Sequence, residues 1–254
     1  MTRSVCVIPA RMGSSRFPGK PLAAMLGMPL ILHVWHRCRL FEPFERVVVA
    51  TCDREIADAV NGAGGEAVMT ADTHERATDR TEEATARLGL GLDDGDLVMM
   101  VQGDEVLTSP QMLSDTVAAF ETANRPIVNL ASRLYSRAGA EDPNTVKVVT
   151  APDGRALYYS RSAIPSAARE KDPPVYQQTG IMGFRNDFLH RFSELPQTPL
   201  EKIESVDMMR VIEHGFEIQI TFTETETIGV DTPDELRRAE NRLGNDPFTE
   251  RYLG

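Results

Sequence analysis

No apolar run in the sequence approaches the roughly 18 residues that span a bilayer, so no transmembrane helix is expected. No apolar core followed by a small-residue cleavage site stands at the start, so no secretory signal is expected either. Cysteine is scarce: Cys6, Cys38 and Cys52 are odd in number, lack metal-ligand spacing, and predict reduced thiols in a cytoplasmic protein. Histidine is scarce too, and His33 and His36, three apart on an expected helix, predict surface or packing roles. Positive charge is in deficit: 27 Lys and Arg face 38 Asp and Glu, a net charge of −11. That balance is a poor match to a nucleic-acid binder, whose phosphate contacts need a basic surface, and disfavours docking on anionic lipid. A phosphate-rich small molecule stays compatible only if its site is a local positive pocket. No Gly-x-Ser-x-Gly motif and no Cys–His pattern is present, so no covalent intermediate is expected.

What is present is alternation. Ser4 to Ala10, Arg46 to Thr51 and Asp96 to Val101 read as buried strands, with Glu66 to Met69 as a shorter one. Between and after them, Pro29 to Cys38, Asp53 to Ala63, Asp79 to Leu88 and Pro110 to Asn124 have helical periodicity. This predicts an α/β fold: a mostly parallel central sheet with helices on both faces. Beyond about Ile127 the pattern changes. Val146 to Thr150, Ala156 to Ser160 and Thr179 to Phe184 suggest a smaller mixed α+β portion, over roughly 130–215, within a single domain of 1–254. Helices follow at Asp187 to Leu195 and Glu201 to His214, then a strand at Glu217 to Phe222 and a last helix at Asp231 to Asn241. Ser166 to Pro174 reads as a mobile loop.

Five places could carry chemistry. The loop from Pro9 to Pro21, directly after the first strand, holds Gly13, Ser14, Arg11, Arg16 and Lys20. Small residues let backbone N–H groups approach a phosphate, and three cations in an acidic chain need a cause. It is neither a P-loop, since Lys20 is followed by Pro21, nor Gly-x-Gly-x-x-Gly. Gln102-Gly103-Asp104-Glu105 ends the third strand, at the edge where open parallel sheets bind ligands. Asp104 there suits Mg²⁺ or a helix cap equally. Asp231, in Gly229-Val230-Asp231-Thr232-Pro233, is locally best read as an N-cap. If Asp104 and Asp231 converge, they form a two-carboxylate seat for Mg²⁺ on nucleotide phosphates. Lys147 and Arg161 sit on strand-like segments, either paired inside or snorkelling to water. Glu201, Glu204, Asp207 and Arg210, each three apart, should lie along one side of one helix as solvated surface.

The segment from Pro9 to Pro21, Val101 to Glu105, Pro143 to Val149, Tyr159-Ser160-Arg161 and Gly229 to Pro233 resembles, in order, the motifs of the 3-deoxy-manno-octulosonate cytidylyltransferase family. The resemblance implies a Rossmann-like nucleotidyltransferase fold, CTP and a small acidic acceptor as partners, Mg²⁺ as cofactor, and a homodimer. It implies catalytic roles for Arg11, Lys20, Asp104 and Asp231, with the two aspartates as metal ligands. Nucleotide contacts would come from Ala10, Arg11, Gly13, Ser14, Arg16, Lys20, Thr78, Asp79, Arg80 and Gln102. Acceptor contacts would come from Arg16, Gln102, Arg161, Gln178, Met182, Glu204, Asp207 and Met208. The chemistry expected is attack of an acceptor oxygen on the α-phosphorus with pyrophosphate leaving, a transfer that needs positioning and charge neutralisation.

The departures from the family pattern cluster on the acceptor side. Gln178 stands for a His, Met182 for a Tyr, Asp207-Met208 for Glu-Gln, and Arg76-Ala77 for Ser-Gly. Each lost donor to a sugar hydroxyl costs on the order of 1–3 kcal/mol, while Arg76 adds a cation that could meet a second anionic group. The expected acceptor is therefore octulosonate, a related sugar acid, or a smaller doubly charged acid such as a phosphonate. An inactive nucleotide-binding regulator, and a uridylyl- or guanylyltransferase, stay open as alternatives.

Overall fold

The computed structural model describes residues 2–14, 16–170 and 172–253; Ser15 of the basic loop and Lys171 of the segment 166–174 lie outside them. Strands are β1 Ser4–Ala10, β2 Ala24–Met25, β3 Met28–Pro29, β4 Val47–Thr51, β5 Glu66–Met69, β6 Leu97–Val101, β7 Ile127–Leu134, β8 Lys147–Thr150, β9 Ala156–Ser160, β10 Val175–Arg185 and β11 Ile218–Thr223. Helices are α1 Leu30–Arg39, α2 Arg54–Gly62, α3 Ala77–Leu88, α4 Pro110–Ala123, α5 Arg137–Glu141, α6 Asn186–Glu194, α7 Pro199–Glu204, α8 Met208–Glu213, α9 Pro233–Leu243 and α10 Pro247–Leu253.

The main sheet runs β11-β7-β10-β6-β1-β4-β5, with β8 and β9 extending from β10, and β2 pairs β3 separately. Every neighbour pair along the main path is parallel except those made by β10, which runs against β6 and β7. The reason is legible in β1, all seven of whose residues are buried. Its side chains alternate between two cores. Cys6, Ile8 and Ala10 pack with α1, α2, α4 and α9, whereas Val5 and Val7 pack with α3, α6 and α8. A strand covered on both faces is apolar at every position, as parallel sheets require.

Three expectations change. Ile127–Leu134 is a strand, β7, between β10 and β11; its polar residues concealed it. The stretch 201–214 is two short helices, because Ser205 adopts φ 53 and ends α7 before Asp207 opens α8. Glu201, Glu204, Asp207 and Arg210 therefore do not share one helix face, and Glu201 and Arg210 are buried rather than solvated. A further helix, α10, follows α9. The segment 166–174 forms neither helix nor strand among its described residues.

Helix α10 docks on α1 through polar groups. Arg37, fully buried, donates to Thr108 O at 2.5 Å and Asp246 Oδ2 at 2.9 Å. His33, also fully buried, sits between Met25 O at 2.7 Å and Tyr252 Oη at 2.9 Å, and His36 stacks on the Tyr252 ring at 5.0 Å. Burial, and then the Arg37 charge, outweigh the Met25 carbonyl and hold His33 below the usual histidine range. The folded chain thus binds fewer protons here than the unfolded chain once pH falls below about 6.5. Stability is expected to decline as pH drops through that point. Thermal melts between about pH 5.5 and 7.5 check this: H33Q should start lower and show a flatter acid slope. An unchanged slope would refute it.

Candidate active site

The carboxyl ends of β1 and β6, the residues before α9, and strand β10 surround a cavity of about 880 Å³. Its floor depends on two glycines. A side chain on Gly103 would meet Pro9 O at 3.0 Å, so glycine lets the end of β6 lie against the end of β1. A side chain on Gly180 would meet Gln102 Cβ at 2.7 Å, so β10 passes directly over Gln102.

Two charged segments far apart in sequence meet here. Lys20 Nζ donates to Asp104 Oδ2 at 2.7 Å and to Asp231 Oδ1 at 2.9 Å. Arg16 donates to Asp231 Oδ2 at 2.6 Å and to Asn144 Oδ1 at 3.0 Å. Asp104 O accepts from Val230 N at 3.3 Å, a backbone tie that sets Asp231 beside Asp104. The cap of α9 is Thr232, whose hydroxyl accepts from Glu235 N. The N-cap reading of Asp231 is therefore replaced: its carboxylate is free for Lys20 and Arg16. Asp104 does not cap the next helix either, since Ser109 caps α4. Burial works against the Lys20 charge, but Asp104 and Asp231 outweigh it and hold the ammonium above the ordinary lysine range. Next door, Glu105 is buried and pushed up to about 7, by burial first and by the Asp104 charge second. One of its oxygens accepts from Gly180 N at 2.5 Å; the other has no partner among the described residues. Sequence reasoning did not single out Glu105, because only burial distinguishes it from Asp104.

The basic loop is held from outside the site. Asp53 Oδ2 accepts from Met12 N at 2.7 Å, and Gly19, at φ 74, turns the chain so that Lys20 starts a single 3₁₀ turn. Ala10, Arg11, Gly13, Ser14, Arg16 and Lys20 all line the cavity, as do Gln102 and Asp104 from the end of β6. Arg80, Arg161, Gln178, Met182 and Asp207 also reach it. Four expected contacts do not line it. Thr78 is buried, with its hydroxyl on Asp207 Oδ2 at 2.7 Å, and Met208 is fully buried in the core. Asp79, half-buried on α3, is not among the lining residues. Glu204 is turned to Ser160, at 3.0 Å, and to Arg161 N, at 2.9 Å. Arg161 lines the wall, but its guanidinium donates to the carbonyls of Glu204, Pro143, Asn144 and Ser205, so it clasps loops together. Lys147 is fully buried, and its ammonium bonds the carbonyls of Asp142, Thr145 and Arg161 at 2.5–2.8 Å. That settles the choice between pairing and snorkelling: it pins the loop carrying Asn144.

Among the described residues no group of three or more His, Cys, Asp or Glu side chains could hold a metal. A cation at this place would have two protein carboxylates, whose oxygens already converge on one ammonium. That donor set suits Mg²⁺, which keeps several waters and takes phosphate oxygens beside one or two carboxylates.

An open α/β sheet with a basic loop and two convergent carboxylates at its carboxyl edge is the arrangement of a nucleotide-binding α/β protein. Comparison with known proteins is more specific. A sequence model of the cytidylyltransferase family matches residues 5–222, and the chain belongs to that family. It is 42% identical over 247 residues to a 3-deoxy-manno-octulosonate cytidylyltransferase of Syntrophotalea carbinolica, covering 93% of this chain and 97% of that protein. It is 40% identical over 242 residues to an 8-amino-3,8-dideoxy-manno-octulosonate cytidylyltransferase of Shewanella sp. (strain ANA-3), covering 94% and 98%. Among solved structures, CMP:2-keto-3-deoxy-manno-octonic acid synthetase complexed with CTP is similar at a TM-score of 0.87 and 35% identity, covering 96% of this chain and 99% of that one.

Proposed function

We propose that the protein transfers CMP from CTP to 3-deoxy-manno-octulosonate or a related sugar acid, releasing pyrophosphate. The observation that carries this reading is the Lys20 ammonium bridging Asp104 and Asp231 at the mouth of a cavity large enough for both substrates. An acceptor hydroxyl oxygen attacks the α-phosphorus; the bond to the bridging oxygen of pyrophosphate breaks; the hydroxyl proton passes to solvent. Arg11, Arg16 and Lys20 bind the triphosphate and offset charge that grows on the leaving group. Asp104 and Asp231 would hold Mg²⁺, which supplies charge neutralisation at the phosphates when bound. Gln102, Gln178 and Met182 face the acceptor, on a wall that Arg161 and Lys147 hold rigid. A cytoplasmic setting, supported by three free thiols, belongs to the same reading. So does a homodimer. Leu157 on β9 and Phe222 on β11 are exposed on strands that an Arg155–Gln219 bridge brings together, and a second copy would cover them.

The test is pyrophosphate release from CTP with a panel of acids: octulosonate, its 8-amino relative and a small phosphonate. Turnover with at least one sugar acid is expected, and UTP in place of CTP should be slower. CTP binding without turnover on any acid would favour a regulator instead.

A further inference from the structure

The reaction as drawn above gives no step to Arg76, and none to Arg80, which the family resemblance assigns to the nucleotide. Both line the cavity, on the segment that opens α3 rather than on the basic loop. Arg80 is only 3% exposed, yet makes no salt bridge among the described residues. Its Nη1 is held by Thr70 Oγ1 and by Ala71 O at 3.2 Å, while Nη2 is buried with no partner among the described residues. Arg76 Nε is likewise buried and unpartnered among the described residues. Arginine is almost never buried without an anion, and a desolvated N–H left unpaired is costly. Arg76 is also the N-cap of the twelve-residue α3 and offers it no side-chain acceptor, so the first N–H groups of that helix are open as well.

These donors belong to a different element from the triphosphate cations. The Thr78 hydroxyl on Asp207 ties the start of α3 to the α7–α8 junction, and Ser205, Val206 and Asp207 of that junction line the same cavity. The basic loop already supplies Arg11, Arg16 and Lys20 for a triphosphate, so a second donor cluster at the junction calls for a second oxyanion. We propose that Arg76, Arg80 Nη2 and the open start of α3 form a seat for the second acidic group, carboxylate, phosphonate or phosphate, of a doubly acidic acceptor. This rests on the cytidylyl-transfer reading and names the acceptor class that reading leaves open. A guanidinium fork and helix N–H groups suit a planar carboxylate and a tetrahedral oxyanion alike. The nucleotide's own phosphates are the other source of such an anion, and the experiment separates the two.

Calorimetric titration of the full chain with phosphonoacetate in the presence of CTP, and with CTP alone, is compared for wild type, Arg76→Ser and Arg76→Lys. Loss of a charge-assisted contact should weaken phosphonoacetate about tenfold or more in Arg76→Ser and less in Arg76→Lys. CTP affinity should stay within about twofold, which also shows the variants are folded. Weakened CTP with unchanged phosphonoacetate gives the seat to the nucleotide and overturns the proposal. So do unchanged affinities for both, and so does failure of the wild type to bind phosphonoacetate. Pyrophosphate release from CTP is assayed in parallel. Its absence with every acid, alongside Arg76-dependent phosphonoacetate binding, would remove the transferase reading and leave the seat.

Discussion

Lys20→Met is expected to cut kcat/KM for pyrophosphate release by about 10²–10³-fold, the usual effect of deleting one fixed donor aimed at developing charge. The geometry explains why no neighbour compensates. Arg16 is nearly half-exposed and shares itself between Asp231 and Asn144, whereas the Lys20 side chain is 12% exposed and spans both carboxylates. Its raised pKa keeps it charged through any working pH, so the loss should be flat with pH rather than confined to one limb. A second readout follows. Without the ammonium, Asp104 loses its cation and faces an Asp231 that keeps only the half-exposed Arg16, and like charges so placed repel. The thermal midpoint of the variant in chelator should fall below wild type, and added Mg²⁺ should raise it more than it raises wild type. Turnover within tenfold of wild type, or a midpoint indifferent to Mg²⁺, would remove Lys20 and its two aspartates from the reaction centre.

Much of this site was readable as a list of residues and little of it as an arrangement. In an acidic chain, three cations after the first strand stand out, and so does a carboxylate at the end of an apolar run. That Lys20 meets Asp104 depends on β1 and β6 being sheet neighbours, and that Asp231 joins them depends on one backbone bond from Val230. Neither leaves a trace in local pattern. Local pattern made Asp231 the cap of α9; only geometry gives that role to Thr232 and frees the aspartate. Strands β1, β4 and β6 were legible because both faces are covered. β7 was not, because Asn129 interrupts it. Its amide donates to Leu130 O, Thr179 O and Ile181 O, and its carbonyl accepts from Tyr159. It fills the irregularity where β10 slips register between Gln178 and Met182, so the residue that obscured the strand serves a bulge in another. The two-helix break at Ser205 was hidden for a similar reason: a spacing of three predicts a helix wherever nothing local forbids it.

That break carries the other large effect. Arg210 and Glu201 form a two-pronged pair across it, Nε to Oε2 at 2.8 Å and Nη2 to Oε1 at 2.6 Å, with side-chain exposures of 4% and 0%. Glu201 also closes the capping box with Thr198, and the guanidinium lies over the Phe192 ring at 4.6 Å. Glu201→Ala would leave a guanidinium buried without its anion, and is expected to lower stability by about 3–5 kcal/mol in urea unfolding. Since Ser205, Val206 and Asp207 line the cavity, what survives should show a raised acceptor KM with CTP affinity little changed. The informative control is the double variant Glu201→Leu with Arg210→Met. Removing both charges replaces an ion pair by apolar groups of similar size, which is often near neutral, so the double should lose less than either single change. If instead the two single losses simply add, the pair is not coupled, and the α7–α8 junction must be held by packing of Met208, Met209 and Val211 alone.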